Sequence, residues 1–422
     1  MVEEVMLERE CKQTEFGEIP NDWDYKPIGK EIDLLTGFPF SSNKYSSDGI
    51  KLLRGSNVKR GILDWSESLT KYWTAIVPEI KQYLLQEGDI IIAMDGSLVG
   101  KSYARISVSD LPALLLQRVA RVRSNKIDIA YLKEFICSDF FTKHCNNVKT
   151  TSAIPHISPL DIRSFSIPIP PTKTEQNAIA VALNDIDSFI VALEKLIAKK
   201  RVIKQGIVQE FLSGKKRLKS YADKWTETAL TKVCWFQEGP GLRNWQFTNS
   251  GIKAINVTNL ENGYLNLSKT DRYISNDLYN RMYKHFTVDE GDVVIASSGN
   301  SYGKVAVVRR KDLPLLMNTS VIRFKPLKNL DYKFLLSFLK SSLFKDQIDL
   351  LVTGGAQPNF GPAHLKKIMI KVPATIEEQR EIANKIASIE SEIHETERKA
   401  AKYKRLKQGM MQNLLTGKIR LI

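Results

Sequence analysis

Short loops that contain glycine carry the side chains of this chain that are best suited to chemistry. Three lie in the first half of the sequence and three in the second: residues 36–49, 53–61, 93–97, 238–251, 256–263 and 296–303. They contain Arg, Lys, Asn, Ser and Thr, the types that read base edges in the major groove of DNA. A solvated surface loop is the alternative interpretation of any one of them. Together they predict a surface that contacts nucleic acid.

The loops of the two halves share a framework but display different residues. The motifs GIK, GD and LP recur, whereas Arg54 is matched by Asn256 and Asp95 by Ser298. Two similar scaffolds with different loops are expected to read two different short base sequences. The residues that we predict to contact DNA are Phe38, Ser41, Asn43, Lys44, Arg54, Asn57, Lys59, Arg60, Ser97, Lys101, Arg243, Asn244, Asn256, Asn259, Ser298, Asn300, Tyr302 and Lys304.

One loop has part of the signature of a phosphate-binding loop. The stretch DIIIAMDGSLVGKS, residues 89–102, reads as a strand, a glycine loop and GKS. The signature needs four residues between its glycines, but only three stand there, and the second copy has Val305 where a Mg²⁺-binding hydroxyl is required. We therefore predict a tight turn between strands, whose Lys101 and Lys304 contact phosphates. ATP hydrolysis is the alternative, and under it replacing Lys101 would abolish ATP turnover by the isolated chain.

The rest of the sequence shows no recognised catalytic or metal-binding pattern. None of the five histidines lies in an HExxH motif or beside a GxSxG elbow. Cys137, His144 and Cys145 are close in sequence, but a structural zinc site needs four ligands in paired spacing. The segment QPNFGP at Gln357 lacks the second proline of the tetrad that adenine methyltransferases use. We predict a binding protein with no metal, no cofactor of its own and reduced cysteines.

The charge of the chain favours a nucleic-acid partner. Its 422 residues include 62 Lys and Arg against 47 Asp and Glu, which gives a net charge of +15. No apolar run approaches the roughly 20 residues of a membrane-spanning helix. The N-terminal segment is charged and lacks the apolar core of a signal peptide. We expect double-stranded DNA rather than a membrane as the partner, in the cytoplasm.

The elements that must position these loops occur twice in the chain. The segment EQNAIAVALNDIDSF from Glu175 matches EQREIANKIASIESE from Glu378, an offset of 203 residues. The strand patterns GDIIIA and GDVVIA recur with the same offset. Each half also contains a segment with the composition of a short helix, at residues 130–145 and 331–350. The repeat predicts two similar α+β domains related by a pseudo-twofold axis, which suits duplex DNA.

A long amphipathic helix follows each of these domains. The apolar steps alternate between four and three residues, the spacing of a heptad seam. The apolar positions of the two seams are Ile179, Leu183, Ile186, Ile190, Leu193, Ile197, Ile207 and Phe211, then Ile382, Ile386, Ile389, Ile393, Ala400, Tyr403, Met410 and Leu414. About 38 residues per helix predict a length of about 57 Å. Because a lone apolar stripe is marginal in water, we predict that the two helices pack as an antiparallel coiled coil.

The predicted fold class is α+β, with two globular domains joined by the two long helices. The boundaries that we predict are an N-terminal arm 1–20, a first domain 21–171, a first helix 172–219, a second domain 220–374 and a second helix 375–422. Lys204 and Lys407 lie on the seam, each followed by a mid-helix glycine. These residues indicate either a polar pin for the register and a helix crossing point, or a surface that approaches DNA or a partner.

With these features in place, the chain resembles a type I restriction–modification specificity subunit. The resemblance rests on PPxxxEQ at residues 170–176, the weaker copy at Pro373, the helix ends KQG…SGK and KQG…TGK, the AQPN stretch from Ala356 and the GEIPNDW entry at residues 17–23. It covers nearly the whole chain in the family's order. The first half departs from it, with IPHIS at residues 154–158 where the family tends to have QPN.

The resemblance implies two target recognition domains, each reading half of a bipartite DNA site, with the helices as a ruler between them. It implies two methyltransferase subunits, which bind S-adenosylmethionine, and restriction subunits, which use ATP and Mg²⁺, as partners. The chain itself would direct that chemistry and perform none of it. A non-specific DNA-binding coiled-coil scaffold is a further alternative, and under it half-site substitutions would leave the affinity unchanged.

Overall fold

A computed structural model describes residues 10–74, 76–151, 153–352 and 358–421. Residues 1–9 of the predicted N-terminal arm lie outside the described residues, and so does the start of the AQPN stretch. The chain divides into two compact units. The first joins the chain up to Leu193 with the chain from Lys399 onward, and the second spans Glu194–Arg398.

The first unit contains strands β1 to β11 and three short helices. They are β1 Cys11–Thr14, β2 Gly17–Pro20, β3 Asp24–Pro27, β4 Asp33–Thr36, β5 Ile50–Leu53, β6 Tyr72–Trp73, β7 Ile90–Ala93, β8 Tyr103–Arg105, β9 Ala113–Leu115, β10 Val119–Arg123, α1 Ile129–Ile136, α2 Asp139–Val148, α3 Pro159–Arg163 and β11 Ser166–Ile169. One sheet has the order β4-β10-β7-β8 and another β6-β5-β9. Strand β7 is buried along its whole length, as its run of Ile predicts.

The second unit repeats this arrangement. Its elements are β12 Thr226–Ala229, β13 Cys234–Glu238, β14 Ile252–Ile255, β15 Tyr273–Ile274, α5 Asn276–Leu278, β16 Val293–Ala296, β17 Val305–Val307, β18 Leu315–Met317, β19 Val321–Pro326, α6 Tyr332–Leu339, α7 Ser342–Leu351, α8 Pro362–Leu365 and β20 Met369–Val372. Its sheets have the orders β13-β19-β16-β17 and β15-β14-β18. Strand β14 pairs in parallel with β18 as β5 does with β9, which confirms the internal repeat.

The two short helices predicted from composition are each broken into two. Ser138 separates α1 from α2, and Ser341 separates α6 from α7. Both serines are buried, and each hydroxyl donates to a carbonyl oxygen three residues earlier, on Phe135 and Phe338 respectively. The backbone N–H of each serine donates to the same carbonyl oxygen, at 3.0 Å, so the hydroxyl adds a second donor that supports the break without proline or glycine.

The long helices α4, Lys173–Leu212, and α9, Ile376–Leu414, have 40 and 39 residues. Each is therefore about 60 Å long, close to the prediction. After each helix a glycine adopts a left-handed conformation, Gly214 with φ +72° and Gly417 with φ +70°, and ends the helix as a C-terminal cap.

The two helices pack against each other in opposite directions. In the first unit Asp187 contacts Lys407, and the rings of Phe189 and Tyr403 lie 4.5 Å apart. In the second unit Lys204 contacts Glu390 at 2.6 Å. As the residue number rises along α4, the number of the residue that it contacts on α9 falls. The two helices are therefore antiparallel, as predicted.

The seam lysines form ion pairs across the helix pair, as expected of polar residues that set the register. Both Lys204 and Lys407 form an ion pair with an acidic residue of the other helix. The glycines that follow do not mark a helix crossing point, because a Cβ placed on Gly206 or Gly409 would meet no described atom within 4 Å.

Each unit has its own hydrophobic core, and the ends of the long helices belong to it. In the first unit Ile179 and Leu183 of α4 and Leu414 of α9 pack into the core around Phe135. In the second unit Phe211 and Ile382 occupy the corresponding places. Burying each of these side chains contributes about 1.5–3 kcal/mol, so each domain and its helix ends form one structure.

Candidate nucleic-acid interface

Three loops of the first unit meet at the turn between β9 and β10. The backbone N–H of Gln117 in this turn donates to Phe38 O at 2.9 Å. The N–H of Met94, in the loop after β7, donates to Arg118 O at 3.0 Å, and that of Ile157 donates to Met94 O at 3.0 Å. The loops that begin at residues 36 and 93 and the IPHIS segment are thereby joined into one surface.

In each unit, one loop passes so close to the backbone of another segment that only glycine fits. A Cβ on Gly37 would lie 2.2 Å from Leu116 O, and a Cβ on Gly239 in the second unit would lie 2.2 Å from Asn318 O. No side chain fits at such a distance, so the loop after β4 and the loop after β13 both need glycine there.

Three charged or titratable side chains lie where the loops of the first unit meet. Arg118 Nη1 is 3.2 Å from Asp95 Oδ2, and His156 Nδ1 contacts the other oxygen of the same carboxylate. Arg118 has φ +67°, a left-handed backbone conformation that is uncommon for a residue other than glycine. Its side chain is 69% exposed, so the guanidinium is presented to solvent while a carboxylate holds it.

The second unit has the same arrangement of backbone hydrogen bonds between its loops, which we call the frame, but displays other side chains. Ser297 N donates to Ser320 O at 2.8 Å, and Phe360 N donates to Ser297 O at 3.1 Å. Ser320 has φ +63°, matching Arg118. Ser298 forms a backbone bridge with Asn359, as Asp95 does with His156. These positions thus carry Asp, Arg and His in one unit and Ser, Ser and Asn in the other.

A carboxylate lies beside the frame of the second unit. Burial raises the pKa of Glu238, the last residue of β13. A Cβ on Gly361 would lie 3.6 Å from Glu238 Oε2, which places the carboxyl group next to the 358–361 segment. The two frames therefore differ in charge as well as in hydrogen-bonding groups.

The predicted DNA-contacting residues fall into three groups by burial. The exposed ones are Ser41, Asn43, Lys44, Arg60, Ser97, Lys101, Arg243, Asn244 and Asn300. The half-buried ones are Phe38, Arg54, Lys59, Asn256, Ser298, Tyr302 and Lys304. Asn57 and Asn259 are fully buried. The first group has the largest side-chain surface open to a ligand.

The two buried asparagines hold their own loops together. Asn57 Nδ2 donates to Asp64 O at 2.9 Å, and its Oδ1 accepts from Arg54 N at 3.1 Å. Asn259 makes the same pair of bonds, to Asn266 O and from Asn256 N, both at 3.0 Å. With no exposed surface and both amide groups satisfied, these residues cannot reach a base edge, and we remove them from the candidate set.

Several half-buried candidates also make contacts within the protein. Arg54 donates to Leu69 O through Nη2, Tyr302 OH donates to Asp349 at 2.8 Å, and Lys304 pairs with Glu261 at 3.3 Å. Phe38 packs in an aromatic cluster with Phe40 and Tyr83 rather than facing a ligand.

The basic residues best placed for phosphate contact are those without an internal partner. Within the described part of the chain, no ion pair involves Lys44, Lys101 or Arg243, and all three are exposed. Arg60 is exposed too, although its guanidinium lies 3.5 Å from Asp139.

The glycine loop that imitates a phosphate-binding loop is a hairpin connection. Strand β7 leads through it directly into β8, and the two strands pair antiparallel with Ile92 opposite Tyr103. A phosphate-binding loop must instead open a helix, whose N-terminal N–H groups hold the phosphates. This geometry removes the basis of the ATPase alternative.

Cys137, His144 and Cys145, which lie close together in the sequence, have other roles. His144 Nε2 contacts Asp161 O at 2.7 Å, and Cys145 is buried in the core of the first unit. Burial raises the pKa of Cys137 and of Cys145 to about 12, which disfavours the thiolate that a metal would need.

Sequence reasoning missed the central residues of this surface. Arg118 follows an ordinary strand pattern, and only its backbone conformation sets it apart. The repeat aligns Asp95 with Ser298 but does not mark Asp95 as a DNA contact. His156 lay in the IPHIS segment, whose departure from the family pattern was the available signal.

Comparisons with known proteins agree with this arrangement. The family model for the type I restriction modification DNA specificity domain matches residues 20–205 and again residues 222–403. The chain is 31% identical over 183 residues to the EcoAI specificity subunit of Escherichia coli, covering 42% of this chain and 30% of that protein. It is 29% identical over 220 residues to the MjaVIII specificity subunit of Methanocaldococcus jannaschii, covering 51% of each chain. The chain thus spans about a third and about half of these two relatives.

Likeness along the full length is found at lower identity. The putative MjaX specificity subunit of the same archaeon is 24% identical over 441 residues, covering 98% of this chain and 97% of the relative. The crystal structure of the S subunit of a type I restriction–modification system from M. genitalium has a TM-score of 0.58 at 16% identity, over 93% of this chain and 96% of that one. A chain from a structural study of type I complex assembly has a TM-score of 0.60. These two structures share the fold.

No described helix is long and apolar enough to cross a membrane. The family model matches most of the chain, once in each half, and the order of strands and helices likewise repeats once in each half. The chain belongs to the type I restriction–modification DNA specificity family, the non-catalytic specificity subunits of these systems.

Proposed function

We propose that the chain reads a bipartite DNA site, with one half-site contacted by each unit. The observation that carries this proposal is the pair of matched frames: the same loops meet at Arg118 in one unit and at Ser320 in the other, with different side chains displayed. A scaffold that needed only to hold duplex DNA would have no reason to vary these side chains. Two recognition surfaces on one backbone design are what a site of two unlike halves requires.

In this proposal residues 21–171 and 220–374 are the recognition domains, and residues 172–219 and 375–422 are spacers. A helix of about 60 Å exceeds one duplex turn of about 34 Å, so the spacers are long enough to separate two half-sites. The bases between the half-sites are not read. The net charge of +15 supplies the phosphate attraction that all sites share.

The partners in the proposal are two methyltransferase subunits and restriction subunits, docked on the helices. The methyltransferase subunits would bind S-adenosylmethionine, and the restriction subunits would use ATP and Mg²⁺. Exposed apolar residues of α4 outside the seam, including Val181, Val191 and Val202, give such subunits an apolar surface to cover.

The test is a genome-wide map of N6-methyladenine in cells with and without the chain, combined with affinity purification of the tagged chain. Methylation at one asymmetric, gapped motif should disappear on deletion, and a methyltransferase subunit should copurify. Identical maps in the two strains, with a methyltransferase bound to the chain, would contradict the reading role. A motif that depends on the chain when no methyltransferase copurifies would contradict the docking role.

A further inference from the structure

We propose that Arg118 is a specificity-determining residue that contacts a guanine in the half-site read by the first unit. This inference rests on the proposed function and extends it to one base. Asp95 and His156 are positioning residues for the guanidinium, and the second unit lacks the contact.

The backbone at residue 118 is held in place by its neighbours. Its carbonyl accepts from Met94 N, and the adjacent Val119 O accepts from Gly37 N at 3.0 Å. The left-handed conformation costs about 1–3 kcal/mol for a residue with a Cβ. The same conformation at Ser320 in the second unit shows that the frame imposes it, whatever side chain is present.

Stability does not account for an arginine at this position. Its ion pair with Asp95 is largely open to solvent, and exposed pairs contribute about 0–1 kcal/mol. Glycine would adopt the required conformation without strain. The pair has another effect: the carboxylate is itself only 19% exposed and is contacted from its other side by His156, so it favours one position of the guanidinium. A guanidinium that already favours one position loses less conformational entropy on binding.

The donors that remain on Arg118 match guanine best. A guanidinium has five N–H donors in a planar fork, and Asp95 occupies only the Nη1 side. The major-groove edge of guanine offers two acceptors, O6 and N7, which a fork of this kind contacts together. Adenine and thymine offer one acceptor each on this edge, and cytosine offers a donor.

The second unit cannot make the same contact. At the matching positions it carries Ser320 and Ser298, whose hydroxyls are short and uncharged, and Asn359. Loss of the Arg118 contact should therefore relax one half-site and leave the other unchanged, which gives the experiment an internal control.

The experiment uses the full chain with its copurified methyltransferase, first by methylation mapping and then by competition binding to duplexes of the mapped motif. The variants are Arg118→Ala, Arg118→Gly and Asp95→Asn, with Arg105→Ala as a control. Arg105 is an exposed arginine at the opposite end of the β7–β8 hairpin, across from Ile90. Arg118→Gly removes the side chain while relieving the backbone, so a folding defect is not confused with a loss of contact.

We expect both Arg118 variants to lose roughly 5- to 150-fold discrimination for one G·C pair in one half-site. Wild-type protein should show a loss of the same order when that guanine is replaced by 7-deazaguanine, which lacks the N7 acceptor. Asp95→Asn should relax the same position partially, and Arg105→Ala should relax none. An equal loss of affinity for every sequence would identify a phosphate contact and overturn the inference, as would unchanged discrimination. A wild-type map without any gapped motif would instead contradict the proposed function itself.

Discussion

Arg420 holds the carboxylate of Glu175 with two hydrogen bonds, from Nε at 2.5 Å and from Nη2 at 2.6 Å. The two residues lie 245 positions apart in the chain. Arg217 makes the corresponding contact with Glu378 in the second unit, at 3.1 Å. In each unit, therefore, the segment that leaves one long helix is attached to the first turn of the other.

The Arg420–Glu175 pair predicts a large loss of stability on truncation. Because Glu175 is only 2% exposed, Arg420→Ala should leave a buried carboxylate unpaired and cost about 3–5 kcal/mol in the free energy of unfolding. Urea unfolding of the purified chain measures this, with the exposed Lys418→Ala as the control. Adding Glu175→Gln should recover part of the loss, since the buried charge is then gone. A cost below 1 kcal/mol for Arg420→Ala would show that the pair does not secure the C-terminal segment.

The buried asparagines predict a structural effect without a change of DNA motif. Asn57→Ala should lower the free energy of unfolding by about 1–3 kcal/mol, because Arg54 N and Asp64 O lose their partner. The methylated motif should stay the same. Asn43→Ala, an exposed residue of the preceding loop, is the control and should change stability by less than about 0.5 kcal/mol. A new motif with full stability would return Asn57 to the set of DNA contacts.

The mid-helix glycines predict a gain of stability. Since no described atom lies within 4 Å of a Cβ on Gly206 or Gly409, alanine fits both sites, and each substitution should stabilise the chain by about 1 kcal/mol. Thermal unfolding of the isolated chain tests this. Pull-down of the methyltransferase by the same variants then shows whether the open face serves docking. A destabilised variant would mean that the helix is not regular at that residue.

The cysteines predict selective thiol reactivity. Burial raises the pKa of Cys137, Cys145 and Cys234 to about 12, so all three stay protonated and protected near pH 8. Cys11 is exposed. A thiol reagent at pH 8 should therefore modify one cysteine in the native chain and all four in denaturant. Cys11→Ser should abolish the native reaction, and a second fast thiol would show that one of the other three cysteines is accessible and readily deprotonated.

Local patterns predicted the helices well, and contacts distant in sequence explain what was missed. The heptad seam of α4 and α9 depends on residues three and four apart, so the sequence is enough to find it. The burial of Asn57 depends on Asp64 and Arg54 folding around it, which composition does not reveal. The cluster of Arg118 with Asp95 forms only when separate loops meet, and a positive φ at an arginine leaves no trace in the sequence.

Lengthening both spacer helices should lengthen the unread gap of the DNA site. We would insert one heptad between Leu193 and Glu194 in α4 and one between Arg398 and Lys399 in α9, which keeps both apolar seams continuous. Seven residues add about 10.5 Å of helix, or about three base pairs at 3.4 Å each. The methylation map should show the same two half-sites with a gap about three base pairs longer. Inserting four residues instead disrupts the seam and is the control, expected to abolish methylation. An unchanged gap in the heptad variant, with methylation retained, would mean that the helices do not set the spacing. If they did, longer helices would hold the two recognition domains further apart along the DNA.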